Sequence, residues 1–264
     1  MSAVGDGNVL PDLVASRLYT AVVSDILDDL GHREHVLDPA IRPLERGTVI
    51  AGFANPFLVT EAHQIPAEPY AGEIGALDDI QPGEVILVAA GGSARAACWG
   101  ELFSAAARAR GARGTLIDGY CRDASSIVAL GYPVWCRGTL PLDCNGRAAV
   151  TAWRQPAVVG GLSVRPGDLV VADADGAVAV PAELIRETIG RALAKASKEH
   201  GLRHALEAGS TLRAAYDRVR CAMSRPGAWR ANHRSAAAPD ILVDARPRRG
   251  ANLGPPPAAA AAVG

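Results

Sequence analysis

What this chain lacks bears directly on what it can do. Neither sign of charge is in surplus: 27 Lys and Arg stand against 28 Asp and Glu, a net charge of −1. Neither a nucleic-acid footprint nor a patch for anionic membranes is therefore indicated. No apolar run approaches the ~20 residues that a membrane-spanning helix needs. The opening residues, MSAVGDGNVL, hold no basic region followed by an apolar one, so they do not read as a secretory leader. The five cysteines (Cys98, Cys121, Cys136, Cys144 and Cys221) form neither a C-x-x-C pair nor a repeated framework. Such a set predicts reduced thiols in a soluble, cytoplasmic protein. No internal repeat is visible. A length of 264 residues suits one domain of roughly 200 residues with tails.

What is present is organised around Val85–Asp123. An apolar run (Val85–Ala90) meets a Gly-Gly-Ser break at Gly91–Ser93, and an amphipathic helix carrying Leu102, Ala106 and Ala109 follows. Gly111 and Gly114 punctuate its exit, a second apolar run spans Thr115–Ile117, and Asp118-Gly119 leads to Arg122-Asp123. This order predicts strand, glycine loop, helix, strand and polar tip, a βαβ-like unit with its polar residues at one end. Twenty residues separate Glu101 from Arg122, enough to bring the chain back to the same edge.

Two carboxylates and a guanidinium on one rim have a chemical use. Paired acids with open oxygen positions suit a hard divalent cation such as Mg²⁺, which keeps several waters and takes few protein ligands. An adjacent arginine offers a planar fork to a substrate carboxylate. The first turn of the helix adds backbone N–H groups without intrahelical partners, a second place for an anion. Gly100, Leu102 and Phe103 at that turn, with Gly92 of the glycine break, are the candidate substrate-binding positions. A cation beside an anion pocket describes a site for a 2-keto acid. Glu101 also suits a helix start simply as an acid favoured by the dipole, and Arg122-Asp123 also suits a solvated turn.

The stretch resembles the metal-dependent aldolases that act on 4-hydroxy-4-methyl-2-oxoglutarate, a family that also contains the RraA-type regulators of ribonuclease activity. Its signature is an acid, twenty residues, then Arg-Asp, matched here by Glu101, Arg122 and Asp123, with glutamate where aspartate is common. Trp99-Gly100-Glu101-Leu102, Asp118-Gly119, Gly131-Tyr132-Pro133-Val134 and Pro166-Gly167-Asp168-Leu169 match as well. The resemblance runs from about Ser24 to Tyr216. It implies an α/β fold of the swivelling β/β/α type, a layered domain with a central β-sandwich or barrel-like sheet flanked by helices. It also implies one such domain over 1–222, and a homotrimer or dimer of trimers. Within the site it implies that Asp123 ligates Mg²⁺ (or Mn²⁺ or another divalent cation), that Glu101 holds the ion's waters, and that Arg122 binds the pyruvyl part of the substrate. Glu199 is the natural match for a glutamate that reaches a neighbouring subunit's metal shell, with Glu187 and Glu207 as rivals.

Around this unit the chain reads in order. Leu13–Leu30 has near-helical spacing and ends at Gly31, with Ser24-Asp25 on a polar face that is either ordinary or turned to the site. His32 and His35 lack a third ligand at metal spacing. Residues 46–60 predict a strand bent or bulged at Gly52 and Pro56, followed by a loop with His63, a surface residue or a substrate contact, and a short helix over Glu73–Ile80. A helix at Ala124–Leu130 ends at Gly131, and a short strand is expected at Tyr132–Cys136. The Asp-Cys-Asn-Gly-Arg run at 143–147 departs from the aldolases, which usually carry a lysine there. Relatives with sugar-acid or other catabolic functions look closer, and Arg147 suits either a distal carboxylate or phosphate or a turn. Asp173 and Asp175 lack the downstream glutamate of a calcium loop, so a hairpin turn is expected. A long helix follows over Ala182–Ala208. From 223 the text turns Pro-, Ala- and Arg-rich, which predicts disorder to 264 with Ile241–Val243 as a docking segment.

By this reading the chain is a lyase that cleaves a 4-hydroxy-2-keto acid, dicarboxylic or sugar-derived, to pyruvate, or decarboxylates oxaloacetate. The central unit contains no lysine for a Schiff base, which argues against the lysine-dependent aldolases. No G-x-G loop follows a strand to hold a methyl-donor cofactor. The alternative is a catalytically idle regulator that binds a ribonuclease or RNA helicase.

Overall fold

The computed structural model describes residues 9–223, with side chains through 217. Two helices open it, α1 (Val9–Arg17) and α2 (Thr20–Asp29), followed by strands β1 (Arg42–Pro43) and β2 (Ile50–Glu61), helix α3 (Ala71–Asp78) and strand β3 (Glu84–Ala89). Next come β4 (Ala97–Trp99), α4 (Glu101–Ala109), β5 (Gly114–Cys121), α5 (Ala124–Leu130) and β6 (Val134–Thr139). Strands β7 (Ala148–Trp153), β8 (Ala157–Val159), β9 (Leu162–Val164), β10 (Leu169–Ala172) and β11 (Ala177–Val180) lead to α6 (Ile185–Glu207) and α7 (Leu212–Met223). The expected tail beyond Met223, Ile241–Val243 included, lies outside the described residues. Among the described residues no helix is long and apolar enough to cross a membrane.

The main sheet is mixed and curled, in the order β1-β6-β5-β3-β2-β10-β11, with β4 beside β5 and β7 beside β2. Its centre, β2-β3-β5-β6, is parallel. Alternation within β3 divides the core: Ile86 and Val88 pack with Leu77, Ala107 and Ile127 under α3, α4 and α5, while Val85 and Leu87 pack with Leu116, Trp135 and Val159 under the β8–β9 hairpin. A third cluster joins α1, α2 and α6 to Leu169, Val171 and Val180 at the β10–β11 end. The expected layered α/β domain, a curled sheet flanked by helices, is what the chain forms.

Local departures have physical causes. The single helix expected over Leu13–Leu30 is two. Thr20 donates from both its backbone nitrogen and Oγ1 to the buried Asp173 carboxylate, each at 2.8 Å, and Tyr19 is extended at φ −139° to start α2 afresh. That carboxylate also accepts from Asp175 N at 2.9 Å, so the Asp173–Asp175 pair makes a hairpin turn as expected. No bulge lies at Gly52. A Cβ there would stand 2.7 Å from Gly83 O, so the glycine admits a close neighbour. Pro56 falls between the stretches of β2 that pair with β10 and with β7, and the register shift comes later, at Leu58/Val59. Two boundaries move as well: α3 begins at Ala71, and the short strand expected at Tyr132–Cys136 is β6, two residues further on.

Candidate active site

Two strand-to-helix switches run side by side at the carboxyl ends of the parallel strands, the place where open α/β sheets gather their functional groups. In the first, β4 passes through Gly100 into α4; in the second, β5 passes through Arg122 and Asp123 into α5. β4 pairs with the end of β5, Trp99 opposite Cys121, and Arg122 N donates to Trp99 O at 2.9 Å. The register of those two strands thus brings Glu101 and Asp123 together across twenty-one intervening residues.

Asp123 caps the start of α5 in the left-handed region at φ 58°, uncommon for a residue other than glycine. Its Oδ2 accepts the backbone N–H of Glu101 at 3.3 Å and lies 3.7 Å from Arg122 Nε. Gly100 makes the approach possible, since a Cβ there would stand 2.9 Å from that Oδ2 and 3.3 Å from Arg122 Cγ. The first-turn N–H groups of Leu102 and Phe103 have no intrahelical acceptor. Glu101 is half-buried.

Helix α4 lies differently from its expected orientation. Leu102 is 74% exposed and Ala109 is exposed; the inward face is Ser104 and Ala107, with Phe103 and Ala106 packed beside them. Ser104 explains the rotation: its Oγ donates to Gly100 O at 3.0 Å and accepts Trp99 Nε1 at 2.8 Å. Phe103 stands edge-on to Trp99 at 5.8 Å and to Tyr70 at 6.4 Å, forming an aromatic wall. Behind it a cavity of about 10 Å³, lined by Phe57, Glu73, Cys98, Trp99 and Phe103 among others, is the size of one water.

Sequence reasoning missed two residues. Asp143 Oδ1 lies 3.3 Å from Arg122 Nη1, and its Oδ2 accepts a short hydrogen bond from Tyr70 Oη. Partial burial works against ionisation of Asp143, but the Tyr70 hydroxyl and the Arg122 charge outweigh it and hold the carboxyl below its usual range. In turn Asp143 pushes the Tyr70 phenol up to about 12. The polar run at 143–147 was the available signal, but a contact made through a loop carries no periodicity to trace. Arg147 serves that turn, donating to Asp143 O at 3.1 Å.

The other candidates sit elsewhere. Gly92, at φ +75°, donates to Asp118 O at 2.9 Å and packs against Arg137. Glu199 accepts from Tyr19 Oη of its own chain, and within one chain it belongs to the α1–α2–α6 layer. Ser24 Oγ is 2.8 Å from His35 Nε2, and His35 Nδ1 is 2.5 Å from His32 O, so the histidines brace a loop. Asp25 pairs with Lys195 at 2.6 Å. His63 is exposed beside Arg95.

Among the described residues no three His, Cys, Asp or Glu side chains cluster as metal ligands. A zinc centre, which asks for three or four protein donors, does not fit this set. A hydrated Mg²⁺ does, since it is held through one or two carboxylates and keeps its waters. Asp123, with Gly100 leaving space beside its Oδ2, offers one such carboxylate, and the backbone N–H of Glu101 lies against it.

A family profile described as RraA-like (Aldolase/RraA) matches residues 20–179. A Halalkalibacterium halodurans protein, provisionally named a 4-hydroxy-4-methyl-2-oxoglutarate aldolase, is 31% identical over 61% of this chain and 72% of its own. Legionella pneumophila DlpA is 27% identical over 78% of this chain, which spans only 34% of that relative's length. Among solved structures, an uncharacterised Pseudomonas syringae protein superposes with a TM-score of 0.69 at 31% identity, over 78% of this chain and 96% of its own. Streptomyces coelicolor RraAS2, described as an unusual member of the RNase ES inhibitor RraA family, gives 0.68 at 32% identity over 74% and 97%.

Proposed function

Because this chain belongs to the RraA-like family, we propose that it is a divalent-metal-dependent carbon–carbon lyase releasing pyruvate from a 4-hydroxy-2-keto acid, dicarboxylic or sugar-derived. The observation that carries the reading is the convergence of Arg122, Asp123 and the Gly100–Glu101 turn, with Asp123 Oδ2 at 3.3 Å from Glu101 N and 3.7 Å from Arg122 Nε. The provisional aldolase names of its relatives support the same reaction class.

Asp123 would hold the cation, with Glu101 hydrogen-bonded to its water shell and Glu199 of a second copy completing that shell in a trimer. When bound, Mg²⁺ or Mn²⁺ would polarise the substrate's keto group. Arg122 receives the substrate carboxylate with its planar fork, and the free N–H groups of Leu102 and Phe103 face the same anion. As the C3–C4 bond breaks, the C4 hydroxyl loses its proton and the electron pair moves to the keto oxygen. Arg122 stabilises that charge. Glu101 relays the hydroxyl proton through a water and returns one to C3, giving pyruvate and an aldehyde or keto fragment. Oxaloacetate decarboxylation would use the same groups, with carbon dioxide leaving.

The test is pyruvate release across a panel of 4-hydroxy-2-keto acids, sugar-derived ones included. EDTA should abolish it and Mg²⁺ or Mn²⁺ should restore it. Arg122→Ala and Asp123→Ala should each lower kcat/KM by at least ~100-fold; near-wild-type turnover in either, with metal present, would sink the assignment. A second reading, a regulator of RNA decay, is favoured by the likeness to RraAS2. Inhibition of a ribonuclease by protein that releases no pyruvate would select it.

A further inference from the structure

We infer that Tyr70 and Asp143 are a positioning pair that fixes the Arg122 guanidinium in the orientation that receives a substrate carboxylate. The inference rests on the reading of Arg122 as that receptor. Its ground is an imbalance between the two edges of the guanidinium. On one edge, Arg122 Nε lies 3.7 Å from Asp123 Oδ2, beyond hydrogen-bond range. On the other, Nη1 makes the closer charge contact, an ion pair at 3.3 Å from Asp143 Oδ1. The arginine side chain is 37% exposed, and a long side chain free at its tip samples many rotamers. Its orientation therefore depends chiefly on Asp143.

Asp143 is itself anchored to the two switches that make the site. Leu140 N donates to Cys121 O, next to Arg122, and Ala97 N donates to Leu142 O, both at 2.9 Å. Ala97 also bridges to Asp143 along the β4 edge. Tyr70 sits at the start of α3 in the left-handed region, φ 62°, with its ring edge-on to Phe103. Non-glycine residues keep such a conformation where surrounding structure over-determines it, often at functional sites. A chain of contacts thus runs from the Tyr70 hydroxyl through Asp143, Arg122 and Asp123 to the first N–H of α4.

The competing account is local: Asp143 Oδ1 also accepts the N–H of Cys144 at 2.8 Å, as a turn-forming aspartate does. The variants separate the two. Asp143→Asn keeps an oxygen for the turn and removes the charge; Tyr70→Phe keeps the ring and removes the hydroxyl. The measurement is calorimetric binding of oxalate, a planar mimic of the pyruvate enolate, to full-length protein with saturating Mg²⁺, beside kcat and KM for the best substrate of the panel. Asp143→Asn should weaken oxalate about tenfold and raise KM more than it lowers kcat, with only a small fall in Tm. Tyr70→Phe should do the same to a smaller degree. In an Arg122→Lys background, Asp143→Asn should add nothing. Oxalate bound by Asp143→Asn as tightly as by wild type, or more tightly, overturns the pair, as does a loss that adds fully to that of Arg122→Lys. Should Asp143→Asn lower Tm far more than Tyr70→Phe does, Tyr70→Phe, which leaves the turn intact, decides by the same readout. Wild-type protein that binds no oxalate sinks the carboxylate-receptor reading itself, and the pair with it.

Discussion

The Oδ2 of Asp123 and the backbone nitrogen of Glu101 are 3.3 Å apart, so one helix's first residue is capped by the residue that opens the next. Gly100 permits this by having no side chain: its backbone is extended, at φ −153° and ψ −171°, which any residue adopts. Only the space is special. A Cβ would stand 2.9 Å from the Asp123 oxygen, and the carboxylate, as the end of a side chain, would move rather than the backbone. Gly100→Ala is therefore expected to leave stability within ~1 kcal/mol of wild type while reducing Mg²⁺-dependent turnover at least ~10-fold. Denaturation and activity titrated against Mg²⁺ check it. A variant of full activity at ordinary Mg²⁺ would mean that the Asp123 position does not matter.

The parts of the fold that were legible were those written in short-range pattern. Val85–Ala90 and Thr115–Ile117 are apolar because the parallel middle of the sheet is covered on both faces, and they form β3 and β5 as expected. The convergence of Glu101 with Arg122-Asp123 followed from the return path of a βαβ unit. Contacts made by tertiary register were not legible. The three-residue β4 is too short to carry a period, yet its pairing with β5 sets the site. The face of α4 was misjudged because a buried serine, satisfied by Trp99 and Gly100, outweighs a leucine left outside. Asp143 reaches Arg122 only through a loop.

Gly72 carries a structural prediction. A Cβ on it would stand 1.8 Å from the carbonyl oxygen of Val150 in β7, a backbone atom held in a strand. Helix α3 could then dock only by shifting off β7. Gly72→Ala should destabilise by about 3 kcal/mol, the upper part of the range for overpacking, and disturb the Tyr70 end of α3. Urea denaturation checks it, and a loss below ~1 kcal/mol contradicts the close approach.

The pH dependence of stability follows from raised phenols at Tyr19, Tyr70 and the buried Tyr132, and from lowered carboxyls at Asp38, Asp143 and Glu183. Burial and then the Glu199 bond push Tyr19 up to about 12, and the Asp143 bond pushes Tyr70 up to about 12, against an ordinary value of about 10. A group whose folded pKa is raised stabilises fully below its unfolded value and loses that contribution as pH rises through the folded one. Tm should fall between pH 10 and about 12, and Tyr70→Phe should flatten part of that fall. Asp143 has the opposite sign: its contribution is present above the ordinary carboxyl range and is lost as pH drops through its lowered value. A Tyr70→Phe profile identical to wild type in the alkaline limb contradicts the assignment.

The four described cysteines should be slow to react. Cys98, Cys121, Cys136 and Cys144 are all buried. Burial first, then the negative charge of Glu73, pushes the Cys98 thiol up to about 11 and that of Cys144 up to about 12. The Cys121 thiol is also pushed up, by contact with the Cys136 sulfur and then by burial. The two sulfurs are 3.6 Å apart, well beyond the ~2 Å of a disulfide. Alkylation of native protein at pH 8, read by peptide mass spectrometry, should spare Cys98, Cys121 and Cys144 until denaturant is added, since the thiolate is the nucleophile; Cys136, whose thiol the Cys121 contact lowers, is shielded by burial alone. Rapid native labelling of Cys98 or Cys144 contradicts the prediction.

Asp118 offers the sharpest stability test. Its side chain is 6% exposed, and Oδ1 accepts from Arg137 Nε at 2.6 Å while Oδ2 accepts from Gly160 N at 2.9 Å. Arg137 also reaches Asp38 at 2.8 Å. Removing the guanidinium leaves a buried carboxylate with one backbone donor, a loss that costs ~3–5 kcal/mol when a buried pair is broken. Arg137 itself is 20% exposed, so water can partly replace it, and Arg137→Ala should cost about 3 kcal/mol, near the lower end. The sign of a second substitution tells charge from packing. Asp118→Asn still accepts the Gly160 N–H through its amide oxygen but carries no charge, so in the Arg137→Ala background it should recover part of the loss. In the wild-type background the same change should destabilise. If Asp118→Asn deepens the loss in both backgrounds, the ion pair is not what Arg137 contributes to stability.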